Sequence, residues 1–156
     1  MISETIRGFG TLRIEHLVLD FNGTLAVDGR LLPGVRPCLR QLARRLDLHV
    51  LTADTFGTAR CALEGVPCKL AVLGPRSQDR AKARYVRLLG AARVACVGNG
   101  RNDVGMLRAA RLGIAVMQTE GAASEVLRAA DIVAPSIADA LDLLLHPLRL
   151  TATLRA

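Results

Sequence analysis

Short apolar runs that stop abruptly at a polar residue, separated by helix-period segments, constrain this chain more than any other feature. Residues 16–20 read His-Leu-Val-Leu-Asp, residues 48–52 Leu-His-Val-Leu-Thr, and residues 93–97 Arg-Val-Ala-Cys-Val before Gly98-Asn99. Runs of this length bounded by turn residues read as strands of a parallel sheet, buried on both faces. Between them lie helical patterns, with Leu39, Leu42, Ala43 and Leu46 on one face of the first. Strand–helix alternation predicts a three-layer, doubly wound, Rossmann-like α/β fold with a mostly parallel sheet. Ligands of such sheets gather outside the carboxyl ends of the strands. Asp20, Thr52 and Gly98-Asn99 are therefore expected along one edge.

The remaining segments fill this frame. Gly8-Phe9-Gly10 is read as preceded by no strand and followed by no helix, so it is not a dinucleotide loop. Asp28-Gly29 between two short apolar arms predicts a β-hairpin over residues 25–32. A helix follows Pro33-Gly34 to about Leu46, and another, capped by Asp54 or Thr55, runs to about Leu63. Residues 69–73 predict a weaker strand, 78–89 a helix, and a further helix opens near Asn102. Strands over 112–116 and 131–133 flank a helix over 121–129, and Ser136 to Asp139 resembles a capping box for a last helix to about His146. The tail from Leu148 to Arg155 alternates Leu or Ala with Arg or Thr, predicting an extra edge strand or a subunit contact. One domain over residues 1–156 is expected, with a core of 14–146.

Composition narrows the function. With 51% apolar and 22% charged residues the chain is compact rather than disordered. It shows no signal peptide and no run of the roughly 20 apolar residues a bilayer requires, so a cytoplasmic protein without a membrane partner is expected. Cys38, Cys61, Cys68 and Cys96 form no C-x-x-C pair and are read as small, buried, reduced thiols. The net charge of +7 invites nucleic acid, but the arginines are spread at helix-surface spacing. Phe9, Phe21, Phe56 and Tyr85 are the only aromatics, which argues against a base-stacking surface. Small anionic substrates would still be drawn to such a protein.

Asp20-Phe21-Asn22-Gly23-Thr24-Leu25, Thr52 and Gly98-Asn99-Gly100-Arg101-Asn102-Asp103 stand in the order of the motifs of the haloacid dehalogenase superfamily, which this chain resembles. Residues 97–107 look particularly like the corresponding stretch of P-type ATPases. The resemblance implies a Mg²⁺-dependent phosphohydrolase acting on a small phosphorylated metabolite or nucleotide. Asp20 would attack the phosphoryl group and form an aspartyl-phosphate. Asn22, Gly23, Thr24, Thr52, Ala53 and a lysine would hold the phosphoryl oxygens. Lys82 is the lysine assigned, with Arg80 its rival, while Lys69 reads as a solvated surface charge. Asp20, the Asn22 carbonyl, Asn99 and Asp103 would hold the metal, Asp103 directly or through water.

Two positions depart from the family pattern. Asn22 stands where its phosphatases carry a second Asp as acid and base, and an amide cannot shuttle a proton at neutral pH. Asn99 replaces the usual metal-binding Asp, which removes a charge. These departures leave a second function open, a non-catalytic phosphate- or protein-binding module on the same fold. A receiver-type phospho-accepting domain is disfavoured, because it explains neither Gly23-Thr24 nor the 98–103 loop. The chain has no room for a cap domain, so an open site is expected. Access to it would be limited by the Asp28-Gly29 hairpin or by a neighbouring subunit of a homo-oligomer.

Overall fold

The computed structural model describes residues 1–53 and 57–156. The cap expected at Asp54 or Thr55 lies outside the described residues. In chain order the elements are β1 (Ile2–Ile6), β2 (Gly10–Ile14), β3 (His16–Asp20), β4 (Ala26–Val27), β5 (Arg30–Leu31), α1 (Val35–Leu42), β6 (Asp47–Thr52) and α2 (Thr58–Ala62). There follow β7 (Lys69–Val72), α3 (Gln78–Leu88), β8 (Val94–Gly98), α4 (Val104–Ala109), β9 (Leu112–Val116), α5 (Ser124–Ala129), β10 (Ile132–Ala134), α6 (Ile137–Leu145) and α7 (Pro147–Leu154). Single 3₁₀ turns at Ala91–Arg93 and Arg101–Asp103 bracket β8.

Six strands form the central sheet in the order β10-β9-β8-β3-β6-β7, every neighbouring pair parallel. The chain starts the sheet in the middle with β3, builds outward through β6 and β7, then returns to build the other way from β8. The reversal leaves a crevice between the carboxyl ends of β3 and β8, where doubly wound sheets bind their ligands. This is the expected three-layer α/β architecture.

The apolar runs lack alternation because both faces of the sheet are covered. Leu17, Leu19, Val50 and Val97 face one layer, in which α1 and α6 contribute Leu39, Leu42, Leu141 and Leu144. Val18, Leu51 and Cys96 face the other, with Val86 of α3, Met106 and Leu107 of α4 and Val126 of α5. Each fully buried Val or Leu contributes roughly 1.5–3 kcal/mol, so β3 is firmly fixed and Asp20 with it. The β4–β5 hairpin turns at Asp28-Gly29, as its sequence predicts. Ser136 caps α6, its Oγ accepting the Asp139 N–H at 3.1 Å.

Five expectations are corrected. Residues 148–155 are not an edge strand. Pro147 sits in the first turn of α7, where its missing N–H costs nothing, and α7 packs against β1. Leucines at 148, 150 and 154 fit a two-residue period, but the helix buries Leu150 and half-buries Leu154, one turn apart, and leaves Leu148 exposed. Gly8-Phe9-Gly10 does follow a strand, since it joins β1 to β2 in an antiparallel hairpin whose Ile2, Ile6, Leu12 and Ile14 are buried. Of the cysteines, only Cys96 is buried; Cys61 is exposed and Cys38 and Cys68 are intermediate. The helix expected to reach Leu46 ends at Leu42, and the one expected from residue 121 begins at Ser124, leaving a loop over 117–123. Among the described residues no helix is long and apolar enough to cross a membrane.

Candidate active site

Three adjacent strands carry polar residues to one end of the sheet: β3 ends at Asp20, β6 at Thr52, and β8 at Gly98 just before Asn99. After Asp20 the chain folds tightly over the Phe21 carbonyl, which accepts the N–H groups of Leu25 and Ala26, each at 2.9 Å. Buried Phe21 anchors this turn in the core. Gly23 is required in it: its φ is +82°, and a Cβ there would fall 2.6 Å from both Asn99 Nδ2 and Glu120 Oε2.

A buried charge cluster lies at the carboxyl ends of these strands. Lys82, early in α3, reaches in with Nζ 2.6 Å from Asp20 Oδ1 and 2.6 Å from Asp103 Oδ1. Thr24 Oγ1 lies 3.2 Å from Asp20 Oδ2 and 3.3 Å from Asn99 Oδ1, within donating distance of each. Asp103 Oδ2 accepts the backbone N–H groups of Asn99 at 3.0 Å and Gly100 at 2.9 Å. Asp103 packs so closely on Gly98 that a Cβ there would meet its Cγ at 2.5 Å. The 98–103 loop is thus tied to its own Asp103, and through Lys82 to Asp20.

A cavity of about 500 Å³ opens over this cluster, lined by Asp20, Asn22, Thr52, Ala53, Lys82 and Asn99 among others. Of the two candidate cations on α3, Lys82 reaches the cluster, whereas Arg80 borders a separate surface hollow with Arg76 and Arg84. Lys69 is exposed at the start of β7.

Two assigned residues, Gly23 and Thr24, are turned otherwise than expected, and Asp103 keeps only the indirect one of its two expected roles. Asp103 has no exposed surface and both its oxygens are engaged, so it stands behind Lys82 rather than facing a metal directly. The Gly23 N–H is taken by the Ala26 carbonyl at 2.7 Å, and the Thr24 N–H by the Phe21 carbonyl at 3.3 Å, so neither is turned toward a phosphate. Sequence reasoning missed Gln78 and Glu120, which also line the cavity beside Asn102 of the 98–103 loop. Glu120 follows β9 as Asn99 follows β8, and the rule that polar residues beyond strand ends face the ligand would have flagged it.

Electrostatics set the cluster apart. Burial raises the Asp20 carboxyl to about 7, and Asp103 pushes it the same way, while Lys82 and Thr24 oppose. Burial disfavours the charge on Lys82, but the two carboxylates outweigh it and its pKa rises. Two carboxylates sharing one ammonium leave a net negative charge when all are ionised, a deficit that a cation would fill. The donor chemistry suits a hard cation. Asn99 Nδ2 donates to the Gly121 carbonyl at 3.0 Å, which turns its amide oxygen toward the Thr24 hydroxyl that also reaches Asp20. Among the described residues no group of three His, Cys, Asp or Glu is gathered for a metal. Mg²⁺ needs only one or two carboxylates when water and substrate oxygens complete its shell, so the residues present fit it.

The raised Asp20 pKa has a sign in stability. Between its unfolded value of 3.8 and about 7 the folded protein holds a proton that the unfolded chain has lost, so stability falls as pH rises through that window. His49, buried on β6 with Nδ1 3.0 Å from Tyr85 Oη, works the other way. Burial, with help from His16 and Lys69, lowers it from 6.5 to about 4, so stability is lost as pH falls through that window. The two effects oppose each other where their windows overlap. In metal-free protein the thermal midpoint therefore carries two opposing slopes from about pH 4 to 6.5. Asp20→Asn should make it rise with pH and His49→Gln should make it fall; parallel profiles in all three proteins would contradict both assignments.

No family model matches this chain. Over 63 residues it is 49% identical to the uncharacterized protein MJ0073 of Methanocaldococcus jannaschii, a match covering 40% of this chain and 68% of that protein. Over 39 residues it is 44% identical to MJ0072 of the same organism, covering 25% of this chain and 89% of that protein. The chain belongs to one family with them. Among solved structures, the cobalt-bound deoxy-D-mannose-octulosonate 8-phosphate phosphatase of Haemophilus influenzae superposes with a TM-score of 0.72 at 16% identity, covering 92% of this chain and 94% of that one. The 3-deoxy-D-manno-octulosonate 8-phosphate phosphatase of Moraxella catarrhalis, with magnesium, phosphate and KDO, gives 0.72 at 14% identity, covering 89% and 90%. A HAD family hydrolase of Streptomyces avermitilis gives 0.67 at 20% identity, covering 83% and 82%. The fold is that of the haloacid dehalogenase superfamily. In this chain no cap domain interrupts the described residues, and the β4–β5 hairpin is the element beside the cavity mouth, which it reaches through the hollow shared by Asn22, Asp28 and Gly29.

Proposed function

We propose that the protein is a Mg²⁺-dependent phosphohydrolase that works through an aspartyl-phosphate on Asp20. The observation that carries the reading is a nearly buried carboxylate, held by Lys82 and Thr24, at the floor of a cavity at the topological switch point. Asp20 Oδ attacks phosphorus and the leaving oxygen departs. The Lys82 ammonium and the Thr52 hydroxyl stabilise charge on the transferring group. Asp103 holds Lys82 in place. Asp20, the Asn22 carbonyl and the Asn99 amide oxygen would hold Mg²⁺, which supplies Lewis-acid stabilisation of the phosphoryl oxygens when bound.

Asn22 shapes the substrate class. With no proton donor at that position, the first displacement favours leaving groups that depart without a proton, such as phosphoanhydrides, acyl phosphates and aryl phosphates. A small phosphorylated metabolite or nucleotide of that kind fits a cavity of about 500 Å³. The related folds that act on a sugar phosphate support a small substrate but do not name it. Hydrolysis of 4-nitrophenyl phosphate that needs Mg²⁺, and exceeds hydrolysis of an alkyl phosphate by at least 10²-fold, is the expected result. Asn22→Asp should close that gap by raising the alkyl rate.

The two amides also favour a second reading, a phosphate-binding module without turnover. In that case Asn22→Asp would create activity where the native protein has none with any divalent metal.

A further inference from the structure

Glu120 belongs to none of the roles above, yet its position is built. It sits in the 117–123 loop after β9, on a tight turn closed by the Gly121 N–H donating to the Gln118 carbonyl at 2.6 Å. The turn is fastened to the Asp20 loop: Gln118 Nε2 donates to the Gly23 carbonyl at 3.0 Å and the Thr24 carbonyl at 2.6 Å. On its other side Gln118 Oε1 accepts the Ile137 N–H at the start of α6, at 2.9 Å. Asn99 Nδ2 holds the Gly121 carbonyl, so the turn is fixed at both ends to residues beside Asp20. The Glu120 carboxylate lies directly over Gly23, where a Cβ would come within 2.6 Å of Oε2.

Two hollows meet at this point. Glu120 and Asn22 are the residues common to the Asp20 cavity and to the hollow under the Asp28-Gly29 hairpin. Across the opening from an amide that cannot accept a proton stands a carboxylate that can.

We propose that Glu120 is the general base of the second half-reaction, resting on the reading of Asp20 as the nucleophile. Water enters from the hairpin side and its oxygen bonds to phosphorus as the bond from phosphorus to Asp20 Oδ breaks. Glu120 takes the water proton, Asp20 is restored as a carboxylate, and inorganic phosphate leaves, accepting the proton back from Glu120. The base that is missing after Asp20 in sequence is thus supplied from the β9 loop, with Gln118 as its positioning residue.

The test uses 4-nitrophenyl phosphate with Mg²⁺ on the full chain, because nitrophenolate leaves without a proton and the first step then does not need Glu120. In Glu120→Gln, a burst of about one nitrophenolate per chain should persist at a rate near that of the native protein. Steady turnover should fall about 10²–10⁴-fold, and a peptide containing Asp20 should carry one phosphoryl group after acid quenching. Glu120→Asp should recover part of the turnover, and the Mg²⁺ concentration giving half the burst should not move. Steady turnover within twofold of native, a burst that falls in step with turnover, or a weakened Mg²⁺ dependence would each overturn the role of Glu120 alone. Absence of any phosphorylated Asp20 peptide in both native and variant protein would overturn the reading of Asp20 as well.

Discussion

Asp20→Asn is expected to abolish Mg²⁺-dependent phosphate release, with a loss on the order of 10⁴–10⁶-fold, as for the removal of other enzymic nucleophiles. The substitution changes little else. An amide at position 20 keeps the shape of the carboxylate: its oxygen still accepts from Lys82, and its NH2, in place of Oδ2, donates to the Thr24 hydroxyl instead of accepting from it. It also removes one of two buried carboxylates that repel each other, so the metal-free variant should be at least as stable as the native protein at pH 8. Lost activity with retained or raised thermal midpoint separates a chemical role from a structural one. A variant keeping more than a tenth of native turnover would contradict nucleophilic catalysis by this residue.

Lys82→Ala is expected to be the most damaging single change to the fold. It strands Asp20 and Asp103, whose carboxylates both lie 2.6 Å from the ammonium in a region almost without solvent. Removing one partner from a buried ion pair typically costs about 3–5 kcal/mol. The loss should be greatest at high pH and shrink as the Asp20 carboxyl, raised by burial, takes up a proton, so denaturation at pH 8 and pH 5 distinguishes it from a simple packing cavity. Lys82→Ala combined with Asp103→Asn should recover part of the loss at pH 8, because the residues share one network. A cost below about 1 kcal/mol at pH 8, or no difference between the two pH values, would contradict the proposed balance of charge.

What could be read from the sequence divides along physical lines. The strands ending at Asp20, Thr52 and Gly98 were legible because a strand covered on both faces must be apolar throughout, and its polar stop then marks the sheet edge. Lys82 was assigned over Arg80 from the lysine of the family motif; its Nζ lies on the Asp20 carboxylate, while Arg80 borders a separate hollow. The α7 helix was not legible, because leucines at 148, 150 and 154 satisfy two periods at once and only contact with β1 decides between them. Nor was the position of Asp103 behind Lys82, since a carboxylate in a first turn looks the same in sequence whether it faces solvent, metal or lysine. Glu120 escaped because it stands several residues past the end of β9: the strand-end rule marks its loop, while its nearness to Asn22 comes from the packing of β9 beside β8.

The central claim is a covalent phosphoryl bond to Asp20. Protein quenched in acid during turnover of 4-nitrophenyl phosphate and reduced with tritiated borohydride reports it directly, because an acyl phosphate is reduced and a free carboxylate is not. Label is expected on the peptide containing Asp20, with that residue converted to homoserine. Sustained Mg²⁺-dependent turnover with no label there, or with label on a different peptide, would contradict it.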